Sequence, residues 1–234
     1  MKHYKAIFEI PSLTYHHLLE SASYAQAAHD AHDLLLYALG KRTLDIAIAL
    51  LGLLILLILL PVIALCVLCE DHGPVFYRQV RIGQFCQPFT VYKLRSMMID
   101  ADYYLEQHAH LLSEWRKVGK LPQDPRITKV GVLLRRTSLD ELPQMLNVLR
   151  GEMSLVGPRP MQGPEMAIFG ELIELRQSVK PGLTGLWQVC GRSIVGYEQR
   201  ILLDCAYVLH RSFWLDMTIL LRTFPVVLHG SGAY

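Results

Sequence analysis

Neither sign of charge prevails along these 234 residues: 23 basic side chains stand against 21 acidic ones. A nucleic-acid binder draws its affinity from neutralising many phosphates, and a net charge of +2 offers no such surface. Any cationic site must therefore be local. Cysteine is also scarce. Cys66, Cys69, Cys86, Cys190 and Cys205 are odd in number and scattered through apolar or irregular sequence, which fits a reducing compartment rather than a disulfide framework. Cys66 and Cys69 form a CxxC inside a greasy run with no second pair at ligand spacing, so they read as small hydrophobes. His3, His16, His17, His29 and His32 lack a carboxylate or cysteine to complete a metal site and read as surface residues. The absence of GxxxxGK sets aside an ATPase of that kind, and the absence of GxSxG sets aside that hydroxyl nucleophile.

Apolar residues are abundant instead, at 52% of the chain, with a positive mean hydropathy. That lies above the soluble range and implies contact with lipid. From Ile46 to Cys69 there are 24 residues without a charge, a helix of about 36 Å against a hydrocarbon core of about 30 Å. Length alone allows a span, and because spanning helices with a proline are common the residues favour one. Pro61 removes an i to i−4 hydrogen bond and predicts a kink or break. Lys41 and Arg42 before the run balance Arg78 and Arg81 after it, so flanking charge does not orient it. A re-entrant hairpin, with both ends on one side, would satisfy both flanks. Residues 1–40 read as a polar lead, helical from about Tyr15 to Leu39, and not as a signal peptide, since the n-region is not basic.

Beyond the run, Val75–Ile82 and Phe89–Leu94 predict a β-hairpin around Gly83. It presents Arg78, Arg81, Lys93 and Arg95, either as a solvated face near anionic headgroups or as a phosphate-handling set. Asp100–Lys117 predicts a polar helix, 120–126 a loop, Leu172–Val179 another helix and Pro181–Gly185 a tight loop. Tyr197–Leu209 and Phe213–Leu228 carry apolar residues at helical spacing. With Trp187 and Trp214 nearby, they suit interfacial helices, and equally core helices. The expected fold is mainly α with a small β-hairpin (α+β).

Chemistry concentrates from Arg135 to Pro160, reading RRTSLDELPQMLNVLRGEMSLVGPRP. A purely structural account exists: Ser138 and Glu141 as a capping box, Pro143 opening a helix and Gly151 closing it. Against it stands the adjacent pair Asp140 and Glu141, because neighbouring carboxylates at a helix start need positive charge nearby. Arg135 and Arg136 lie upstream, a helix N-terminus contributes roughly half a charge, and a divalent metal would complete the neutralisation. Gly157-Pro158-Arg159-Pro160 adds a rigid turn holding a guanidinium whose fork matches phosphate.

On these segments, together with PVFYRQVRIG, PFTVYKLRSM, DPRITKVG, KPGLTGLWQVCGRS, LDCAYV and SFWLDMTILLRT, the chain from about Lys41 to Val226 resembles the bacterial sugar transferase family. These are the monotopic polyprenyl-phosphate phosphoglycosyl transferases. The resemblance implies a re-entrant membrane helix over 41–72 broken at Pro61, reversing the preference for a span, and a cytoplasmic catalytic domain with interfacial helices over 73–234. It implies that Asp140 attacks the β-phosphate of a UDP-sugar, that undecaprenyl phosphate then accepts the sugar-phosphate, and that Glu141 acts with Asp140 as a Mg²⁺ ligand. Arg135, Arg159 with Pro158 and Pro160, and Lys93 with Arg95 match positions that hold phosphates, and Asp204 matches an acidic position. Membrane lipid is an implied partner, at the cytoplasmic face of the inner membrane. The residues do not decide between monomer and homodimer. Cys86 departs from the family where many members turn with glycine, as does Val80 where a polar residue is usual. About 40 residues stand where longer members carry a multi-span region, so the resemblance is to a short form. A non-catalytic scaffold and a Mg²⁺-dependent nucleotide-sugar hydrolase are the alternatives. The tract GLTGLWQVCGRS leans toward glucose or galactose as the sugar.

Overall fold

The structure, a computed structural model, describes residues 31–118, 121, 123–170, 172–190 and 196–228. Most of the polar lead, with His3, His16, His17 and His29, lies outside them, as do Lys120 and Pro122 of the expected loop and the tract end at 191–193. Helix α1 (Ala31–Asp71) runs for 41 residues with Pro61 inside it. The helical assignment continues through the proline, so the expected break is not an interruption of the helix. A proline removes one donor, while the hydrogen bonds on either side keep both halves helical.

One stripe of α1, comprising Asp45, Ala49, Leu56, Ile63 and Val67, is buried. These positions recur at helical spacing along the whole run, so a single face packs on the body. Ala49 joins the main core, and Leu56, Ile63 and Val67 form a second cluster with Leu94 and Leu134. The other faces leave Leu50, Leu51, Leu54, Leu57, Ile58 and Val62 exposed, the composition expected of a surface that meets lipid.

The hairpin is as predicted: β1 (Phe76–Ile82) and β2 (Pro88–Leu94) pair antiparallel from Phe76 opposite Leu94 to Ile82 opposite Pro88. Cys86 in its loop has φ 58°, a left-handed conformation that glycine adopts more readily. The polar helix divides at His108 into α2 (Ala101–Gln107) and α3 (Ala109–Val118). Helix α4 (Lys129–Arg136) is capped by Thr128, whose side chain accepts from Gly131 N–H. A 3₁₀ turn (Leu139–Gln144) leads into α5 (Met145–Arg150), which ends at Gly151 with φ 81°.

Strand β3 (Ser154–Val156) pairs parallel with β4 (Gly182–Thr184). That corrects Pro181–Gly185 as a plain loop. Two glycines mark a turn in sequence, but here Gly182 lies against Gly157 so closely that a Cβ would strike its backbone nitrogen. Between these strands lie α6 (Met166–Phe169) and α7 (Leu172–Gln177). After them come α8 (Leu186–Cys190), α9 (Tyr197–His210) and α10 (Phe213–Leu228). Helix α10 buries Leu215, Asp216 and Ile219 while exposing Trp214, Leu221 and Phe224, so its outer face is apolar too.

Candidate active site

The 3₁₀ turn packs on α1 with one face and carries its carboxylates on another. At three residues per turn, positions i and i+3 eclipse, so Leu139 and Leu142 share a face. Both pack against the cluster of Leu56, Ile63 and Val67 from α1. Asp140 and Glu141 point elsewhere, and Asp140 is buried. The anticipated capping box does not form: Ser138 sits at φ 56° with no side-chain cap. Glu141 is directed instead to two cations, and α5 opens at Met145 rather than at Pro143.

Lys93 Nζ donates to Glu141 Oε1 at 2.8 Å, and Arg159 donates to the same oxygen at 3.4 Å. Arg135 is held by its Nε on Ser96 Oγ at 2.9 Å; burial lowers its pKa, and the Asp140 charge is the largest attraction opposing that. Burial and then the Glu141 charge push the Asp140 carboxyl above the ordinary range, against the pull of Lys93, Arg135 and Arg159. Burial raises Glu141 as well, but Lys93 and Arg159 outweigh it and hold Glu141 well below its usual value. The two carboxylates thus divide: Glu141 is a stabilised anion and Asp140 a poorly solvated, more basic carboxylate.

Two anticipated residues lie elsewhere. Arg95 is just past the end of β2, where its guanidinium pairs with Asp71 and its Nε donates to Pro74 O at 2.6 Å. It fastens the end of α1 and does not meet the carboxylate pair. Asp204 is buried and accepts from Arg176 Nε at 3.0 Å, and burial, against the pull of Arg176, pushes it up to about 6. Arg176 also donates to the carbonyl of Arg159 and lies 4.7 Å over the Phe169 ring. Asp204 therefore reaches the site only through Arg176, as a support for the Arg159 turn. Pro158 contributes a carbonyl that accepts from Gly182 N–H at 2.8 Å, tying the same turn to β4. Pro160 lines a recess beside Lys93 and Arg159.

Sequence reasoning missed Arg176, Gln144 and Asn147. Each is a polar residue on the buried face of an otherwise apolar pattern, and that mismatch was the available signal. Asn147 is fully buried, donating to Thr90 O and Glu152 Oε2 at 2.7 Å each, which joins α5 to β2.

Asp140 and Glu141 could hold a hard divalent cation. Both cations fall on Oε1 of Glu141, leaving Oε2 to face a metal. Two carboxylates completed by waters and substrate phosphates suit Mg²⁺. Among the described residues no group of three or more His, Cys, Asp or Glu offers an all-protein cage, as a structural zinc site would need.

Comparison with known proteins agrees with this chemistry. The family model described as bacterial sugar transferase matches residues 36–230. An exopolysaccharide production protein of Sinorhizobium fredii is 42% identical over 200 residues, covering 84% of this chain and 88% of that protein. The undecaprenyl-phosphate galactose phosphotransferase of Salmonella typhimurium is 42% identical over 198 residues, 83% of this chain and 41% of the relative. The UDP-glucose:undecaprenyl-phosphate glucose-1-phosphate transferase of Escherichia coli is 41% identical over 203 residues, with shares of 83% and 41%. This chain therefore spans most of the first relative and about two fifths of the other two.

Proposed function

This chain belongs to the bacterial sugar transferase family, and from that premise we propose that it moves a sugar 1-phosphate from a UDP-sugar to undecaprenyl phosphate at the cytoplasmic face of the inner membrane. Asp140 is the nucleophile. Its carboxylate oxygen attacks the β-phosphorus, the bond to the bridging oxygen breaks, and UMP leaves with the electron pair. The phosphate of the lipid then attacks the same phosphorus, the bond to Asp140 breaks, and the carboxylate is regenerated.

An ionised phosphate acceptor needs no deprotonation, so no general base is required. What must be overcome is repulsion, about 4 kcal/mol for two unit charges at 4 Å and an effective dielectric of 20. Lys93, Arg135 and Arg159 supply the opposing charge, and Mg²⁺ held by Asp140 and Glu141 would neutralise phosphate oxygens further. The observation that carries the proposal is the double-faced turn: its leucines pack on the apolar helix while Glu141, next to Asp140, meets Lys93 and Arg159. A lipid phosphate stays at the membrane boundary, so the nucleophile must be held there.

Helix α1 is proposed to dip into one leaflet, bending at Pro61 without losing its helical course. Lys41 before the apolar run bonds Asp216, and Asp71 after it bonds Arg95, so one body holds both flanks of the run. The relatives' names point to galactose and to glucose, and a hexose is proposed without a choice between them.

With UDP-hexose labelled in the β-phosphate and lipid withheld, label should remain on the wild-type protein and be absent from Asp140→Asn. Adding undecaprenyl phosphate should chase it to lipid. Release as free sugar-phosphate would instead identify a hydrolase, and no turnover a scaffold.

A further inference from the structure

The recess beside the carboxylates has a lining that Asp140 and Glu141 do not account for. Its polar side chains are Arg81, Lys93, Gln144 and Arg159. All four carry hydrogen-bond donors, and no carboxylate shares the wall. Glu141 offsets Lys93 and Arg159. Arg81 has no ion-pair partner among the described residues: its Nε and one terminal nitrogen rest on the neutral Gln79 Oε1, at 3.1 and 2.7 Å. A guanidinium set beside a second arginine, and held only by an amide, is poised for an anion.

Gln144 supplies an independent observation. It is 3% exposed, and its Nε2 has no hydrogen-bond partner among the described residues. The turn's three-residue period places it on the same face as Glu141, so its amide looks along the wall that the cations line. A buried donor without an acceptor carries a desolvation cost that an arriving acceptor removes.

We infer that Arg81 and Gln144 form an oxyanion subsite that takes a non-bridging phosphoryl oxygen, on a phosphate other than the one under attack at Asp140. This rests on the proposed transfer reaction, which brings two such phosphates to the site: the one that leaves with the nucleoside and the one borne by the lipid. Both present the same chemistry, an acceptor-only, negatively charged oxygen. Arg81 supplies charge and Gln144 a directed donor.

Binding separates the two sources. In an Asp140→Asn background, which under the proposal binds without turnover, affinity for UMP and for a short-chain polyprenyl phosphate is measured by calorimetry, alone and with Arg81→Gln, Gln144→Leu or Gln144→Glu. Arg81→Gln should weaken one ligand at least tenfold. Gln144→Leu should weaken the same ligand about three- to tenfold, and Gln144→Glu more, because a carboxylate repels the oxygen that the amide attracts. Loss confined to UMP assigns the subsite to the leaving phosphate, loss confined to the lipid phosphate assigns it to the acceptor, and loss of both means that the substrates use it in turn. If both affinities stay within twofold for Arg81→Gln, or if Gln144→Glu binds as the parent does, the subsite does not exist. Arg81 lies on a half-exposed strand position, so its arm decides the matter even if a buried Gln144 replacement fails to fold. Because UMP binding needs no adduct, failure here is distinct from failure to label Asp140.

Discussion

Asp140 carries a carboxylate into a place where ionisation is costly, and that cost has a measurable sign. With its folded-state pKa raised by burial and by Glu141, the folded protein holds this proton more tightly than the unfolded chain does. Stability from this group is therefore full below the ordinary carboxylate range and is lost as pH rises through the raised value. Asp140→Asn escapes that loss. It should be more stable than wild type at pH 8 by about 1–2 kcal/mol in denaturant unfolding, and the gap should close near pH 4; an equal gap at both pH values would contradict the burial argument. Arg176 is the converse case, a buried cation whose partner is fixed. Arg176→Gln strands Asp204 and should cost about 3–5 kcal/mol. Pairing it with Asp204→Leu should recover most of the stability in thermal melts but not the turnover number, since the Arg159 carbonyl still lacks its donor. The dense, charged residues of this site were legible in the sequence because their clustering needs neutralisation to be tolerated. Arg176 and Gln144 were not, because a lone polar residue in an apolar periodicity does not announce its partner. Arg95 misled because it continues the pattern of Lys93, although the strand ends between them.

Elements here are placed by reciprocal capping more than by extended sheets. The C-terminal end of α1 offers Glu70, whose carboxylate accepts from the first N–H groups of α4, Lys129 at 2.6 Å and Val130 at 3.1 Å, satisfying donors that a helix start leaves open. Arg42, just before the apolar run of α1, donates to Val148 O and Leu149 O at 2.6 and 2.7 Å, which closes α5 from outside. Asp45 accepts from Ser154 Oγ and Leu155 N–H, so α1 also holds β3. The hairpin and the last two helices could be read from alternation and helical spacing. The β3–β4 pairing could not, since its partners are short, distant in sequence and join through glycines that look like turns. Gly131 tests how tightly α4 is set. In an exposed helix, glycine to alanine gains about 1 kcal/mol, yet here a Cβ would collide with the Ser96 carbonyl oxygen. Gly131→Ala should therefore destabilise by about 1–3 kcal/mol in chemical denaturation. It should also lower activity, because Ser96 holds Arg135.

At the scale of the whole molecule, the question is which side of a bilayer each part occupies. A straight helix of 41 residues would reach about 60 Å, twice the hydrocarbon core, so length permits a crossing. Packing opposes it. The buried stripe runs from Asp45 to Val67, and the body against it carries Lys41–Asp216, with Tyr37 and Tyr207 also donating to Asp216, before the apolar run and Arg95–Asp71 after it. A helix that crossed would draw this charged body into hydrocarbon, where unsatisfied polar groups are costly. Burying only the exposed apolar faces of α1 and α10 avoids that and leaves both ends of α1 in the same aqueous compartment. The proposed geometry can be read by thiol labelling with the five native cysteines replaced. Thr43 and His72 flank the apolar run and are exposed, so Thr43→Cys and His72→Cys should both react with a membrane-impermeant maleimide in inverted vesicles, and neither in intact spheroplasts. Labelling from opposite sides would require α1 to leave the body at one end, and the ion pair there would have to be broken in the membrane-bound state.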